Sequence, residues 1–164
     1  MALRKKNTFA LKTGRIGLIS DTHGLMRPEA LSALSNVELI IHAGDIGKSE
    51  ILEALKTIAP VAAIRGNNDT APWAREIPQI LDLQINNTNV RVLHNVREIT
   101  ADPAAAGVQV VISGHSHKPS IETRGSALLV NPGSAGPRRF KLPITVGLLV
   151  LQKGDAKAEI IPLL

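Results

Sequence analysis

The sequence predicts an α/β protein built from two packed β-sheets with helices on their outer faces. Three observations carry that reading. Apolar runs alternate with helical patterns through the first half, the rhythm turns strand-rich after Trp73, and the core stock is aliphatic, with hydrophobic residues at 44% but aromatic ones at 2%. At 164 residues the chain is one domain by size, long enough to bury about 70% of its unfolded surface.

Residues 15–20 read as a buried strand that stops on Asp21-Thr22-His23-Gly24. Over 27–34, Pro28 at a first helical position, Glu29 beside it, and Leu31 and Leu34 three apart predict a short helix. A second apolar run, 37–41, ends in His42-Ala43-Gly44-Asp45. Ser49 is a fair N-cap for a helix over 50–58, where Ile51, Leu52, Leu55 and Ile58 share one face. A third strand, 61–64, ends in Arg65-Gly66-Asn67-Asn68-Asp69. The result is βαβ alternation with polar side chains gathered at the carboxyl ends of the strands.

Past Trp73, 80–85 and 90–93 flank Asn86-Asn87-Thr88-Asn89 and predict a hairpin whose second strand ends on His94-Asn95. Residues 101–106 form a brief helix with Asp102 as cap, Pro103 in the first turn and Gly107 as stop. The strand 108–112 ends in Ser113-Gly114-His115-Ser116-His117, and 127–130 leads into the turn Asn131-Pro132-Gly133-Ser134. Two runs, 144–151 and 158–161, close the chain as a hairpin around Gly154-Asp155.

The formal charge of +5 belongs to one place. Arg4, Lys5, Lys6, Lys12 and Arg15 precede the first acid, Asp21, and beyond them basic and acidic residues balance. Residues 1–14 are therefore expected to be a basic, flexible arm ahead of a single domain over 15–164. With so few aromatics there is no platform for stacking bases, which argues against nucleic acid as a partner. The absence of cysteine excludes disulfides, thiolate metal sites and cysteine nucleophiles, and suits the cytoplasm. No apolar run approaches the ~18 residues of a membrane span, and Lys12 interrupts the only apolar stretch of the arm, so neither a membrane nor a secretory signal is expected.

The chemistry sits at strand ends. Asp21 with His23, then Asp45, Asn67, His94, and His115 with His117 all follow apolar runs, and an Asp-x-His on extended chain leans both side chains to one side. Mixed nitrogen and oxygen donors suit Mn, Fe, Co, Ni or Zn better than Ca or Mg. Two such ions about 3.5–4 Å apart can activate a water and clamp a phosphoryl group, given one carboxylate able to bridge them. Glycines at Gly24, Gly44, Gly66 and Gly114 let backbone turn sharply beside such a site.

The ordered blocks Asp21-Thr22-His23, Gly44-Asp45, Gly66-Asn67-Asn68-Asp69, His94 and Gly114-His115-Ser116-His117 resemble the signature of the calcineurin-like metallophosphoesterases. The short length and Asn131-Pro132-Gly133-Ser134 are similar to the small bacterial and archaeal phosphodiesterase branch, and the resemblance runs from about Arg15 to the C-terminus. It implies a four-layer α-β-β-α fold with two mixed sheets. It implies that Asp21, His23 and His117 hold one divalent ion, that Asn67, His94 and His115 hold a second, and that Asp45 bridges them, with Mn the first expectation for both ions. The implied activity is phosphodiester hydrolysis by in-line attack of a bridging hydroxide on a small substrate. A non-catalytic binding scaffold of the same fold, as in a eukaryotic retromer subunit, and a phosphomonoesterase are the alternatives, and the terminal hairpin leaves room for a homo-oligomer.

Two positions depart from the family pattern. Where many relatives carry a histidine that serves the leaving group, this chain has Asn68, which donates a hydrogen bond but no proton at neutral pH. That predicts a preference for good leaving groups such as aryl or nucleoside esters. Asn95 stands after His94 where relatives often have glycine. Outside the ligand set, Asp69 is expected to anchor its loop, His42 either to pack or to orient Asp45, and Lys118, Arg138, Arg139 and Lys141 to offer positive charge to an anionic substrate.

Overall fold

A computed structural model describes residues 7–164 of the chain. One sheet is formed by β2 (Arg15–Ile19), β3 (Leu39–His42), β4 (Val61–Ala63), β10 (Thr145–Gln152) and β11 (Asp155–Pro162), in the order β11-β10-β2-β3-β4. The other is formed by β1 (Asn7–Phe9), β5 (Ile80–Ile85), β6 (Thr88–Leu93), β7 (Val110–Ile112), β8 (Ser120–Arg124) and β9 (Ala127–Asn131), in the order β1-β5-β6-β7-β9-β8. Both sheets are mixed. Their centres are parallel, β2 with β3 and β4 in one, β6 with β7 and β9 in the other; β1 also joins β5 in parallel, while the hairpins β5-β6, β8-β9 and β10-β11 and the pairing of β10 with β2 are antiparallel.

Strand alternation assigns the layers. Ile16, Leu18, Leu39 and Ile41 point inward and meet Leu83, Ile85, Val90, Val92, Val110 and Ile112 of the facing sheet. Each such side chain, fully buried, contributes about 1.5–3 kcal/mol. The alternate residues Ile19 and Ile40 point outward and are covered by Ala30 of α1 (Pro28–Ala33), by Leu34, and by Ile51 and Leu55 of α2 (Ser49–Lys56). On the other outer face, Leu93, Val111 and Leu129 pack with Val96 and Ile99, near short 3₁₀ turns at Val96–Glu98 and Pro103–Ala106. No helix among the described residues is long and apolar enough to cross a membrane.

Several elements differ from the sequence reading. Ser49 is the first residue of α2 rather than its cap; the cap position is Lys48, and the Ser49 hydroxyl donates to Glu50 instead. The hairpin turn is tighter than expected. Asn86 and Asn87 both sit at positive φ, 48° and 67°, which makes a two-residue turn whose twist matches the strands, so β6 starts at Thr88. The helix expected over 101–106 is the 3₁₀ turn Pro103–Ala106, with the Asp102 carboxylate accepting from the Ala104 N–H. Strand β8 is not foreseen at all, because it is mostly polar and exposed and owes its form to pairing with β9.

Of the basic arm, Arg4, Lys5 and Lys6 lie outside the described residues. From Asn7 onward the chain is held, not loose. β1 pairs in parallel with β5, Phe9 and Leu11 pack on the central core, and the N–H groups of Lys12 and Thr13 donate to the Glu38 carboxylate. The Thr13 hydroxyl, which also donates to Glu38, and then those N–H groups hold the Glu38 carboxyl below its usual range.

Candidate metal centre

The candidate ligands meet because the parallel strands of both sheets end at one rim. Backbone bonds join the loops after β2 and β3: the Asp21 N–H donates to the Gly44 carbonyl at 3.0 Å and the His23 N–H to that of Asp45 at 2.9 Å. Within the six-stranded sheet the Gly114 N–H donates to the His94 carbonyl, and the two sheets are tied to each other by the His115 N–H on the Asp21 carboxylate. Asp21, His23, Asp45, His115 and His117 all have positive φ, between 45° and 73°. Such a conformation costs a non-glycine residue on the order of 1 kcal/mol or more, and it persists only where surrounding bonds over-determine it. A Cβ on Gly66 would overlap the Asp45 carboxylate, and one on Gly114 would overlap the Ser20 hydroxyl.

Two carboxylates occupy the middle. Asp21 is fully buried; its Oδ2 accepts from the Ser20 hydroxyl at 2.7 Å and the His115 N–H at 3.0 Å, while its Oδ1 has no donor. That oxygen faces three imidazoles, with Nε2 of His117 at 3.4 Å, of His94 at 3.8 Å and of His23 at 3.9 Å. Asp45 Oδ2 lies 3.2 Å from His94 Nε2 and 3.7 Å from His23 Nε2. Two overlapping ligand sets result, Asp21/His23/His117 and Asp21/Asp45/His94. The resemblance implies Asp45 as the shared carboxylate; here Asp21 belongs to both sets, and Asp45 Oδ2 lies between His23 and His94. His115 is exposed at the rim, its ring edge-on to His94 with centroids 5.1 Å apart, and Asn67 is exposed in the loop after β4.

Protonation follows from these contacts. The His94 Nδ1–H donates to the Ala43 carbonyl at 2.7 Å, which leaves Nε2 turned toward the carboxylates. Burial works against charge on His94, but Asp45 and the Ala43 carbonyl outweigh it and raise its pKa. Burial likewise opposes charge on Asp45, yet the His94 imidazole 3.2 Å away and the bond from the Asn68 N–H hold it down at about 2. Burial pushes Asp21 up despite the Ser20 hydroxyl, and it pushes His117 down, with the Arg139 charge adding to the effect. Buried Asp21 Oδ1, His94 Nε2 and His117 Nδ1 all lack partners. A donor set of carboxylate oxygens and imidazole nitrogens, closely spaced and unsatisfied, fits a first-row divalent ion.

The supporting residues were only partly foreseen. Asp69 anchors its loop as expected, accepting from the N–H groups of Ile46, Gly47 and Gly66 at 2.9–3.0 Å. His42 is fully buried and joins two ligand loops: the Gly44 N–H donates to its Nδ1, so Nε2 carries the proton and donates to Thr22 Oγ1, whose hydroxyl donates to the Ile46 carbonyl. Burial holds the His42 pKa down at about 3. Asn131, read from sequence as part of a turn, donates to the Gly114 carbonyl and Ser116 Oγ, and Ser134 Oγ donates to the Asp21 carbonyl. Asn68 donates to both oxygens of Asp45, from N–H at 3.0 Å and Nδ2 at 3.2 Å. Asn95 caps the turn after it by accepting from the Arg97 N–H.

Comparison with known proteins agrees with this geometry. The sequence profile of the calcineurin-like phosphoesterase superfamily domain matches residues 15–154. A "Probable metallophosphoesterase" of Methanocaldococcus jannaschii is 38% identical over 155 residues, covering 87% of this chain and 79% of that one. A protein named phosphodiesterase from the same organism is 26% identical over 160 residues, covering 86% of this chain and 95% of the relative. Among solved structures, vacuolar protein sorting 29 from Cryptosporidium parvum superposes with a TM-score of 0.73 at 18% identity, covering 92% of this chain and 97% of the other, a likeness of fold.

Proposed function

We propose that this chain, which belongs to the calcineurin-like phosphoesterase superfamily, is a phosphodiesterase that works with two divalent transition-metal ions, Mn foremost. The observation that carries the reading is the buried, donorless Asp21 Oδ1 with three imidazole Nε2 atoms within 4 Å of it. Asp21, His23 and His117 would hold one ion, His94, His115 and Asn67 the other, and Asp45 would lie between them. Divalent ions there supply an activated water at neutral pH and neutralise charge on the phosphoryl oxygens.

The protein's own groups do the rest. Ser20 and the His115 N–H orient Asp21, His42 and Asp69 fix the loop that carries Asp45, and Asn68 holds both Asp45 oxygens. Asn68 has no proton to give a departing alkoxide, so displacement in line with the attacking water favours aryl leaving groups. An aryl phosphodiester is preferred to an alkyl phosphomonoester for that reason. A binding scaffold of the same fold has no need for seven filled ligand positions, and here Asp21, His23, Asp45, Asn67, His94, His115 and His117 are all present.

The test is elemental analysis with a diesterase assay on bis-p-nitrophenyl phosphate, for the wild type and Asp45→Asn. Two equivalents of metal in the wild type, and activity lowered roughly 10³-fold in the variant, support the enzyme. Wild-type protein that takes up no metal and shows no turnover supports the scaffold.

A further inference from the structure

A cleft of about 670 Å³ runs from the ligand rim across the outer face of the six-stranded sheet. His115 and Ser116 stand along it, and its walls carry four cations, Arg97, Lys118, Arg124 and Arg139, against one acid, Glu122. All four cations are exposed, and the lysine and arginine ion pairs among the described residues lie elsewhere, at Lys56, Arg91 and Lys157. The volume is that of a small-ligand site.

The cations run from the centre outward along the cleft. Lys118 directly follows His117, and the Arg139 charge is felt at His117. Arg124 is at the far end of β8, which puts Ser120, Glu122 and Arg124 on one face and Arg124 roughly 13 Å along the strand from Ser120. One scissile phosphodiester carries a single negative charge, which the ions at the ligand rim already meet. Four unpaired cations beyond it match further anionic charge on the substrate. The mouth also presents Phe140, 89% exposed and at a φ of 54°, a flat apolar face suited to a planar ring.

We infer that the cleft is a subsite for a second phosphate, so that the preferred substrate is a small nucleotide-type phosphodiester bearing another phosphate beside the scissile one. The inference rests on the phosphodiesterase reading of the rim, but binding tests it without turnover.

Titration calorimetry on the Mn-loaded protein compares thymidine 3′,5′-bisphosphate with thymidine 5′-monophosphate, which differ by one phosphate. The bisphosphate binds roughly tenfold tighter, the advantage shrinks as salt rises, and Lys118→Gln/Arg124→Gln with unchanged metal content abolishes it. Equal affinity for the two nucleotides in the wild type, or an advantage that survives the double variant, overturns the subsite. Alongside, the p-nitrophenyl ester of thymidine 5′-phosphate is assayed with and without a 3′-phosphate. No turnover of either ester defeats the phosphodiesterase reading and leaves the binding comparison to decide the subsite; turnover of both at equal kcat/KM argues against the subsite alone.

Discussion

The two outer faces of the sandwich are finished differently. Over the five-stranded sheet, Ala30, Leu34, Ile51 and Leu55 close on Ile19 and Ile40. Over the six-stranded sheet, short turns cover Leu93 and Val111, and toward β8 the face opens into the cationic cleft. The closed side holds the Asp21 and Asp45 loops in strained backbone through buried bonds to His42, Asp69 and Ser134. The open side offers exposed side chains at the rim. Rigidity and access are thus divided between opposite faces, and ligand residues from both meet where the sheets end.

The sharpest break of that division is in the closed core. Leu55→Ala removes a fully buried side chain from α2 and should cost about 2–5 kcal/mol in urea unfolding, with little change in metal-loaded kcat if the loops keep their shape. A loss below 1 kcal/mol would mean the helices are not what braces the centre. Next is the rim itself: Asn68→His adds a proton donor where none exists and should raise turnover of an alkyl phosphomonoester by about 10²-fold, while aryl diesters change little. Equal effects on both substrates would place residue 68 away from the leaving group.

A pH series probes the buried network. His42 stays neutral in the folded protein down to about 3, whereas unfolded histidine takes up a proton near 6.5. The unfolded state therefore binds more protons in that window, and stability of the metal-free protein should fall by roughly 1.4 kcal/mol per pH unit from about 6.5 toward about 3. His42→Phe should lose that slope; an unchanged slope assigns it to other groups. The smallest effect belongs to the open face, where Ile121 in β8 is 43% exposed and Ile121→Ala should stay within about 0.5 kcal/mol.

Most of the centre was legible because each ligand follows an apolar run, and an apolar run announces its own end. Asp21, His23, Asp45, His94 and His117 lie within two overlapping donor groups, and His115 stands beside His94 at the rim. The bracing was less legible. Asn131 and Ser134 looked like an ordinary turn, since nothing local says that a polar side chain will reach a loop more than a hundred residues earlier. β1 looked like a basic tail because its three residues carry no alternation of their own and gain strand form from β5.

The order of the strands other than β1 and β8, the aliphatic core and the choice of candidate ligands could be read from sequence alone, since each is encoded in windows of a few residues where burial must match the period of the backbone. Tertiary structure alone decided that Asp21 is shared by both ligand sets, that His42 links the first two ligand loops, and that β8 lines an open cleft. Those facts depend on which distant segments pack together, and hydrogen bonds between residues such as Ser134 and Asp21 leave no periodic trace in the chain.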